Sequence, residues 1–449
     1  MKIAYICRQS SMKQSVYEGM TVHIMEICRA LRELGNDVFL VIGGSLPISG
    51  LLRIHEVMIP PLLPLAHLLR NLETIATSIR DRFRAKTLSA KENKYVGGVE
   101  GTKLDATTVW SLIALWHDIK TRVDDWEHDR YFYHQADRVI GIKQPDVLYE
   151  HYYRFSFAGV NLARRYGLPL ILEMHGSYSF RREWPDRRHP LSLLMIHWSE
   201  KHLCQRANAI VVVTPFLRQY LIDLGISEEK ISVIPNGADI EHFCPDETNR
   251  AVVRSKYGLN DRLVVGFVGG LRPYHGLSIL INSARLVVSS FPKAHFLIVG
   301  EGPPRQALEL QVREQGLDEV FTFTGNVPFK DVPAYINAMD ITVAPFPKLP
   351  DFYFSAIKIL EYMAVAKPVV ASRYPDTESV ISDHVNGILV DPGDSVQLAQ
   401  AILELLEDKE LRMRLGEEAR RLVSEKYTWK QVALKIIKIS ENLRPQNKK

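Results

Sequence analysis

The chain has 449 residues, 46% apolar and 24% charged, which is the make-up of a soluble globular protein and too long for one ordinary core, so two domains are expected. A formal net charge of +4 is too small to point to a nucleic-acid partner, and none is expected. The four cysteines, Cys7, Cys28, Cys204 and Cys244, form no CxxC pair, which excludes a zinc site or disulfide framework built on them and fits a reducing, cytoplasmic compartment. The apolar start at residues 3–7 is too short for a signal peptide, and no run of 18 uncharged apolar residues predicts a spanning helix.

Residues 3–7 read as a buried strand. A polar loop follows, and Gly19-Met20-Thr21 leads into a helix that Gly35-Asn36-Asp37 ends before a strand at 38–42. In this strand–loop–helix start, Gly19 stands where backbone approaches a ligand closely, although a turn is the plainer use of such a glycine. Residues from about 50 to 135 break the alternation. Pro60, Pro61 and Pro64 lie among leucines, and Leu65, Leu68, Leu69 and Leu72 share a helical stripe. Arg80, Arg82, Arg84 and Lys86 come next, and Trp110, Ile113 and Trp116 suggest another helix. Two readings stand for this insert. One is an amphipathic surface resting on an anionic membrane at its inner face, where a lipid-linked acceptor would arrive. The other, which the pattern favours, is a domain insert whose leucines and tryptophans pack inward.

The α/β rhythm then resumes, with a strand at 146–150, a helix at 155–166 and a strand at 170–174. His175 follows directly, at the carboxyl end of a parallel strand, where open α/β sheets meet ligands. Glu173 alternates with it along the strand, and the pattern leaves its face open. A strand at 209–213 and a helix at 216–224 lead to Pro235-Asn236-Gly237-Ala238-Asp239. The polar stretch 246–250 reads as a linker between an N-terminal unit, 1–245, and a second unit, 246–427.

The second unit opens with a strand at 263–268, then Gly269 and Gly270, then Arg272, His275 and Gly276 ahead of a helix from Leu277. A strand, a Gly-rich loop, basic residues and a helix make a phosphate cradle. Arg272 offers a forked donor to a diphosphate, and His275 would help most when protonated. Strands at 295–299 and 320–323 end at Gly300 and at Gly325-Asn326-Val327. The stretch 351–372 reads as a loop, a short helix and a buried strand, with Ser355 as N-cap. Ile357, Leu360 and Ala364 share one face, and Ser355, Lys358 and Glu361 fall three apart on another. A helix start with a lysine one turn in suits phosphate, and Glu361 can accept from two neighbouring ribose hydroxyls. The same spacing would also serve a Lys–Glu pair on a solvated face. Helices at 396–407 and 410–426 follow, then a last helix from 428 and a basic tail after Arg444.

The stretch from Phe352 to Glu361, with Tyr362, Met363 and Ala364, resembles the C-terminal signature of the retaining glycosyltransferases of family 4, also called group 1. Tyr353 stands where that signature usually has its first Glu. Pro235 to Asp239, Gly19 with His23, and the 269–276 loop add to the resemblance, although Gly270 and His275 occupy places usually held by Arg and Lys. The resemblance implies a GT-B fold, two Rossmann-like α/β domains facing across a cleft, with the helix at 428–449 crossing back to the first. It implies a nucleotide-sugar donor and a glycan, lipid-linked or small-molecule acceptor. It places His175 beside the donor sugar, Arg272 and Lys358 on the leaving diphosphate, and Glu361 and Ser355 with the nucleotide. Gly19, Gly270, His275 and Gly300 would border the phosphates, and Asn326 and Val327 the base. No Asp-x-Asp triplet occurs, so no metal or other cofactor is expected. The alternatives are a sugar-nucleotide epimerase of the same fold and a non-catalytic nucleotide- or glycan-binding subunit. No strand is followed by G-x-G-x-x-G, which argues against a dehydrogenase.

Overall fold

A computed structural model of the protein describes residues 1–8, 19–43, 56–59, 106–179, 190–350, 352, 355 and 357–444. Thirteen strands form two sheets, each parallel throughout. The first holds β1 (Lys2–Cys7), β2 (Asp37–Gly43), β3 (Glu56–Ile59), β4 (Val147–His151), β5 (Leu170–Met174), β6 (Ala209–Val212) and β7 (Ile231–Val233). Their spatial order is β3-β2-β1-β4-β5-β6-β7. The second holds β8 (Leu263–Val268), β9 (Ala294–Val299), β10 (Phe321–Gly325), β11 (Ile341–Ala344), β12 (Val369–Ser372) and β13 (Ile388–Val390), in the order β10-β9-β8-β11-β12-β13. Strand order reverses beside β1 and β4 in one sheet and beside β8 and β11 in the other. Ligands of open parallel sheets bind at the carboxyl ends of such strands.

The strands are covered on both faces, so they read as near-continuous apolar runs. All five residues of β5, LILEM, are buried. Helix starts follow local chemistry. Thr214 accepts from the Leu217 amide ahead of the helix Pro215–Asp223, Asp394 does the same for Ser395–Glu407, and Thr428 for Trp429–Leu443. That last helix returns to the first sheet. Trp429, Val432, Ala433 and Ile436 pack with Ile3, Tyr5, Ile24 and Tyr149. Each fully buried side chain of this size contributes about 1.5–3 kcal/mol.

Some elements differ from expectation. The helix expected from residue 155 starts at Ala158, because Phe155 sits at φ 54°, outside the helical region. β3 was not expected, and it pairs with β2 at the sheet edge. The helix Ala106–Lys143 runs through position 135 without a break, and its later part buries Phe132, Ala136 and Ile140 in the first core. The leucine and arginine clusters at 60–86 and the tail after Arg444 lie outside the described residues. Among the described residues, no helix is long and apolar enough to cross a membrane.

Candidate active site at the carboxyl edges of two sheets

The helix Ile357–Ala364 connects β11 to β12 and starts at the strand-order reversal of the second sheet. It buries Ile359, Leu360, Tyr362, Met363 and Ala364, whereas Ile357 is only half-buried, so its apolar face is centred differently from the expected stripe. Tyr362 fixes its position. Its hydroxyl accepts from the Val268 amide at 2.7 Å and donates to the Val268 carbonyl at 3.2 Å, tying the helix to the end of β8. One turn earlier, Lys358 then comes against the loop that leaves β8. Its Nζ lies 4.2 Å from the centroid of the Phe267 ring, a cation–π approach. A Cβ on Gly269 would stand 2.9 Å from that amine, and φ there is +142°, so the loop needs glycine twice over.

The stem of Lys358 is half-exposed, yet its amine is buried and has no hydrogen-bond partner among the described residues. Burial, opposed by Glu361, pushes Lys358 down to about 7. Burial, opposed by Lys358, pushes the half-buried Glu361 up to about 7. His275 donates or accepts through Nδ1 at 2.6 Å from the Gly270 carbonyl; since a carbonyl only accepts, Nδ1 carries the proton. Burial, then the charges of Lys358 and Arg272, push His275 down to about 2. The cationic help expected from His275 is therefore absent, because two stronger bases already hold the local positive charge. Arg272 lies exposed at the rim, ahead of the turn Pro273–His275. Gly300 abuts this loop, and a Cβ there would overlap the Gly269 carbonyl. Asn326 is exposed and Val327 half-buried just past β10, beside Gly300, whose amide donates to Gly325 at 3.0 Å.

The first sheet contributes a different cluster. Glu173, at β5, is fully buried, which resolves the face that its strand pattern left open. Tyr5 donates to its Oε2 at 2.8 Å and Tyr149 to its Oε1 at 2.7 Å. His23 Nε2 lies 2.9 Å from Oε1, His175 Nε2 3.6 Å from Oε1, and His151 Nδ1 3.8 Å from Oε2. Burial alone would raise Glu173, but His23 and the adjoining imidazoles outweigh it and hold the carboxyl well below its usual range. Burial, with His23 and His151 nearby, pushes His175 down to about 4, so its ring is neutral at physiological pH. His175 is about a quarter exposed, and its buried Nε2 turns toward Glu173. His23, Glu173 and His175 bring one donor atom each within 4.8 Å, a spacing that could hold a metal ion. The carboxylate already takes three close donors, which suits a hydrogen-bonded cluster. Gly19 opens the helix Gly19–Glu33 that carries His23.

The two clusters meet at one place. Asn236, buried in the turn after β7, lies 2.7 Å through Oδ1 from His23 Nδ1, and its Nδ2 donates to Ser355 Oγ beside the helix of Lys358. Sequence reasoning noted Pro235 to Asp239 only as a turn and passed over His151. A lone His at a strand end carries no local signal, and Asn236 and Ser355 are 119 residues apart.

Comparisons with known proteins agree with this geometry. A family model described as glycosyl transferases group 1 matches residues 262–408, and one for glycosyltransferase family 4 matches residues 113–242; together they span more than half of the chain. The chain is 29% identical over 277 residues to the alpha-D-kanosaminyltransferase of Streptomyces kanamyceticus, covering 60% of this chain and 69% of that protein. It is 27% identical to the GDP-mannose-dependent alpha-(1-6)-phosphatidylinositol monomannoside mannosyltransferase of Mycolicibacterium smegmatis, covering 50% of this chain and 59% of that one. Among solved structures, HepE of Anabaena in complex with UDP superposes with a TM-score of 0.68 at 18% identity, covering 99% of this chain and all of the other. The sucrose-phosphate synthase of Thermosynechococcus elongatus gives 0.69 at 19% identity, covering 98% of each. At these identities the structural likeness speaks for the fold.

Proposed function

Because the chain belongs to the group 1, family 4 glycosyltransferases and has their GT-B fold, we propose that it moves a sugar from a nucleotide-sugar donor to a glycan, lipid-linked or small-molecule acceptor, with retention of anomeric configuration and without a metal. One observation carries the site assignment. A buried amine, Lys358 Nζ, has no hydrogen-bond partner among the described residues and faces a glycine loop at the head of a helix. Burying a cation without an acceptor is costly, and an anion brought to that spot removes the cost. The donor's diphosphate is such an anion. Helix-end amides and Arg272 at the rim add to its stabilisation as the charge grows on departure.

The chain's own residues then divide the work. Lys358 meets the leaving diphosphate, and Glu361, when ionised, accepts from the ribose hydroxyls. His175 is neutral, and with Nε2 directed at the carboxylate of Glu173 its proton belongs on Nε2. That leaves Nδ1 as an acceptor for a sugar hydroxyl. In the step itself the bond from the anomeric carbon to the diphosphate oxygen breaks, and the bond to the acceptor oxygen forms on the same face. The acceptor's proton passes to a phosphate oxygen. Buried Cys7, Cys28 and Cys204 and half-buried Cys244, all free thiols, suit a cytoplasmic enzyme.

The test is a panel of nucleotide sugars screened by thermal shift. Transfer or slow hydrolysis of the stabilising donor is then followed by mass and by the anomeric proton signal. A stabilising donor and a product of unchanged configuration are expected. Absence of any stabilising nucleotide sugar rejects the donor site, and inverted product rejects retention.

A further inference from the structure

We infer that Asn236 is a positioning residue whose side-chain amide couples the donor diphosphate, through Ser355, to the charge of His23 and so to the setting of His175; this rests on the donor site proposed above. The path is continuous. Ser355 Oγ accepts from Asn236 Nδ2, Asn236 Oδ1 meets His23 Nδ1 at 2.7 Å, and His23 Nε2 meets Glu173 Oε1 at 2.9 Å. The His23 ring lies 4.2 Å from the ring of His175, edge to face. Both ends of the amide are held. Asn236 is 1% exposed, Ala238 is bridged to Thr428, and a Cβ on Gly237 would come within 2.6 Å of the Trp429 nitrogen, so the turn cannot shift.

Counting donors shows what the amide does. The carboxylate of Glu173 can only accept, so His23 Nε2 must donate to it. With Oδ1 facing Nδ1, that nitrogen must donate as well, and His23 is an imidazolium. With the amide turned over, Nδ2 donates to Nδ1 and the ring is neutral; Oδ1 then faces Ser355 and takes its hydroxyl proton. The amide orientation, the Ser355 hydroxyl and the charge of His23 therefore change as one unit. A diphosphate at the head of the helix Ile357–Ala364 claims the Ser355 proton for its own oxygens. Ser355 can then only accept from Asn236, which selects the orientation with a charged His23. That charge beside His175 keeps the His175 ring neutral and available to the sugar. The donor thus prepares, across the gap between the two sheets, the residue that is to touch it.

The test uses the whole chain with UDP, GDP and ADP as probes, and with the stabilising nucleotide sugar for turnover. Asn236→Asp keeps an acceptor for His23 but cannot donate to Ser355; Ser355→Ala removes only the link to the other sheet. Each is expected to weaken nucleoside-diphosphate binding about tenfold, and the double variant no further. Asn236→Ala is expected to weaken binding equally and in addition to lower kcat at saturating donor, where Asn236→Asp largely restores it. In wild type bound to nucleotide, the ring-nitrogen NMR signals of His23 are expected to show both nitrogens protonated. Independent, multiplicative losses in Asn236→Asp and Ser355→Ala, or a neutral His23 in the bound state, overturn the coupling. Wild type that binds none of the probes instead overturns the donor site on which it rests, and the two failures are told apart by that control.

Discussion

At the edge of the first sheet, Glu173 accepts close hydrogen bonds from Tyr5 and Tyr149 and meets His23; at the edge of the second, Lys358 is buried against Phe267 and Gly269 and meets no hydrogen-bonding acceptor. The two edges share a topology and a strand-order reversal, but they are finished differently. A buried charge with partners is complete before any ligand arrives and serves to hold neighbours in place. A buried charge without them stores an unfavourable energy that an incoming counter-charge relieves. The first edge is therefore read as a rigid support for His175, and the second as the receiver of the donor's anion.

The largest expected effect breaks the receiver. Lys358→Ala should lower kcat/KM by about 10²–10³, the size seen when one transition-state donor is removed. The same variant should leave thermal stability unchanged or raise it, since the burden of an unpartnered amine disappears. A loss of stability in a melting curve would mean that Lys358 is a structural cation after all. Breaking the support should do the reverse. Glu173→Gln removes the acceptor of three donors and should cost about 3 kcal/mol of unfolding free energy, read by urea titration. Nucleoside-diphosphate affinity should change little by comparison.

Acidity sharpens the contrast. Lys358 gives up its proton near pH about 7, well below a free lysine, and the diphosphate needs the charged form. Affinity should therefore fall as pH rises above about 7, and binding at higher pH should take up a proton, visible by calorimetry in buffers of different ionisation heat. Glu361 is raised to about 7 and must be ionised to accept ribose hydroxyls, so affinity should also fall as pH drops below about 7. A maximum near neutrality is expected, and Glu361→Ala should remove the acid limb while weakening binding about tenfold, the worth of one charge-assisted hydrogen bond. The smallest effect is expected from excess chelator, which should leave turnover in place. Complete loss would assign a metal to His23, Glu173 and His175, whose donor atoms have the spacing for one.

Much of this was legible in the residues. Runs such as VVGFVGG announce a buried strand and a glycine loop, and the order strand, loop, helix places Gly269 and Lys358 at one sheet edge before any coordinates are consulted. The face of Glu173 was not legible, because a strand buried on both sides has no apolar–polar alternation to read. His151 escaped for the same reason. His275 was misjudged in charge, since the sequence shows its basic neighbours but not their distance or the burial that together keep it neutral. The contact of Asn236 with Ser355 joins segments that no local pattern relates.

The return of the last helix has a mechanical consequence. The backbone passes between the sheets twice, once after β7 and once ahead of Trp429, and the two passages run side by side, with the Ala238 amide donating to the Tyr427 carbonyl at 2.8 Å and Ala238 bridged to Thr428. A single strand would act as a swivel. Two strands bonded into a narrow ribbon act as a flexure, which bends readily about one axis and resists twisting about the others. Opening and shutting would then follow one track, and each return would bring Asn236 back to Ser355 in register.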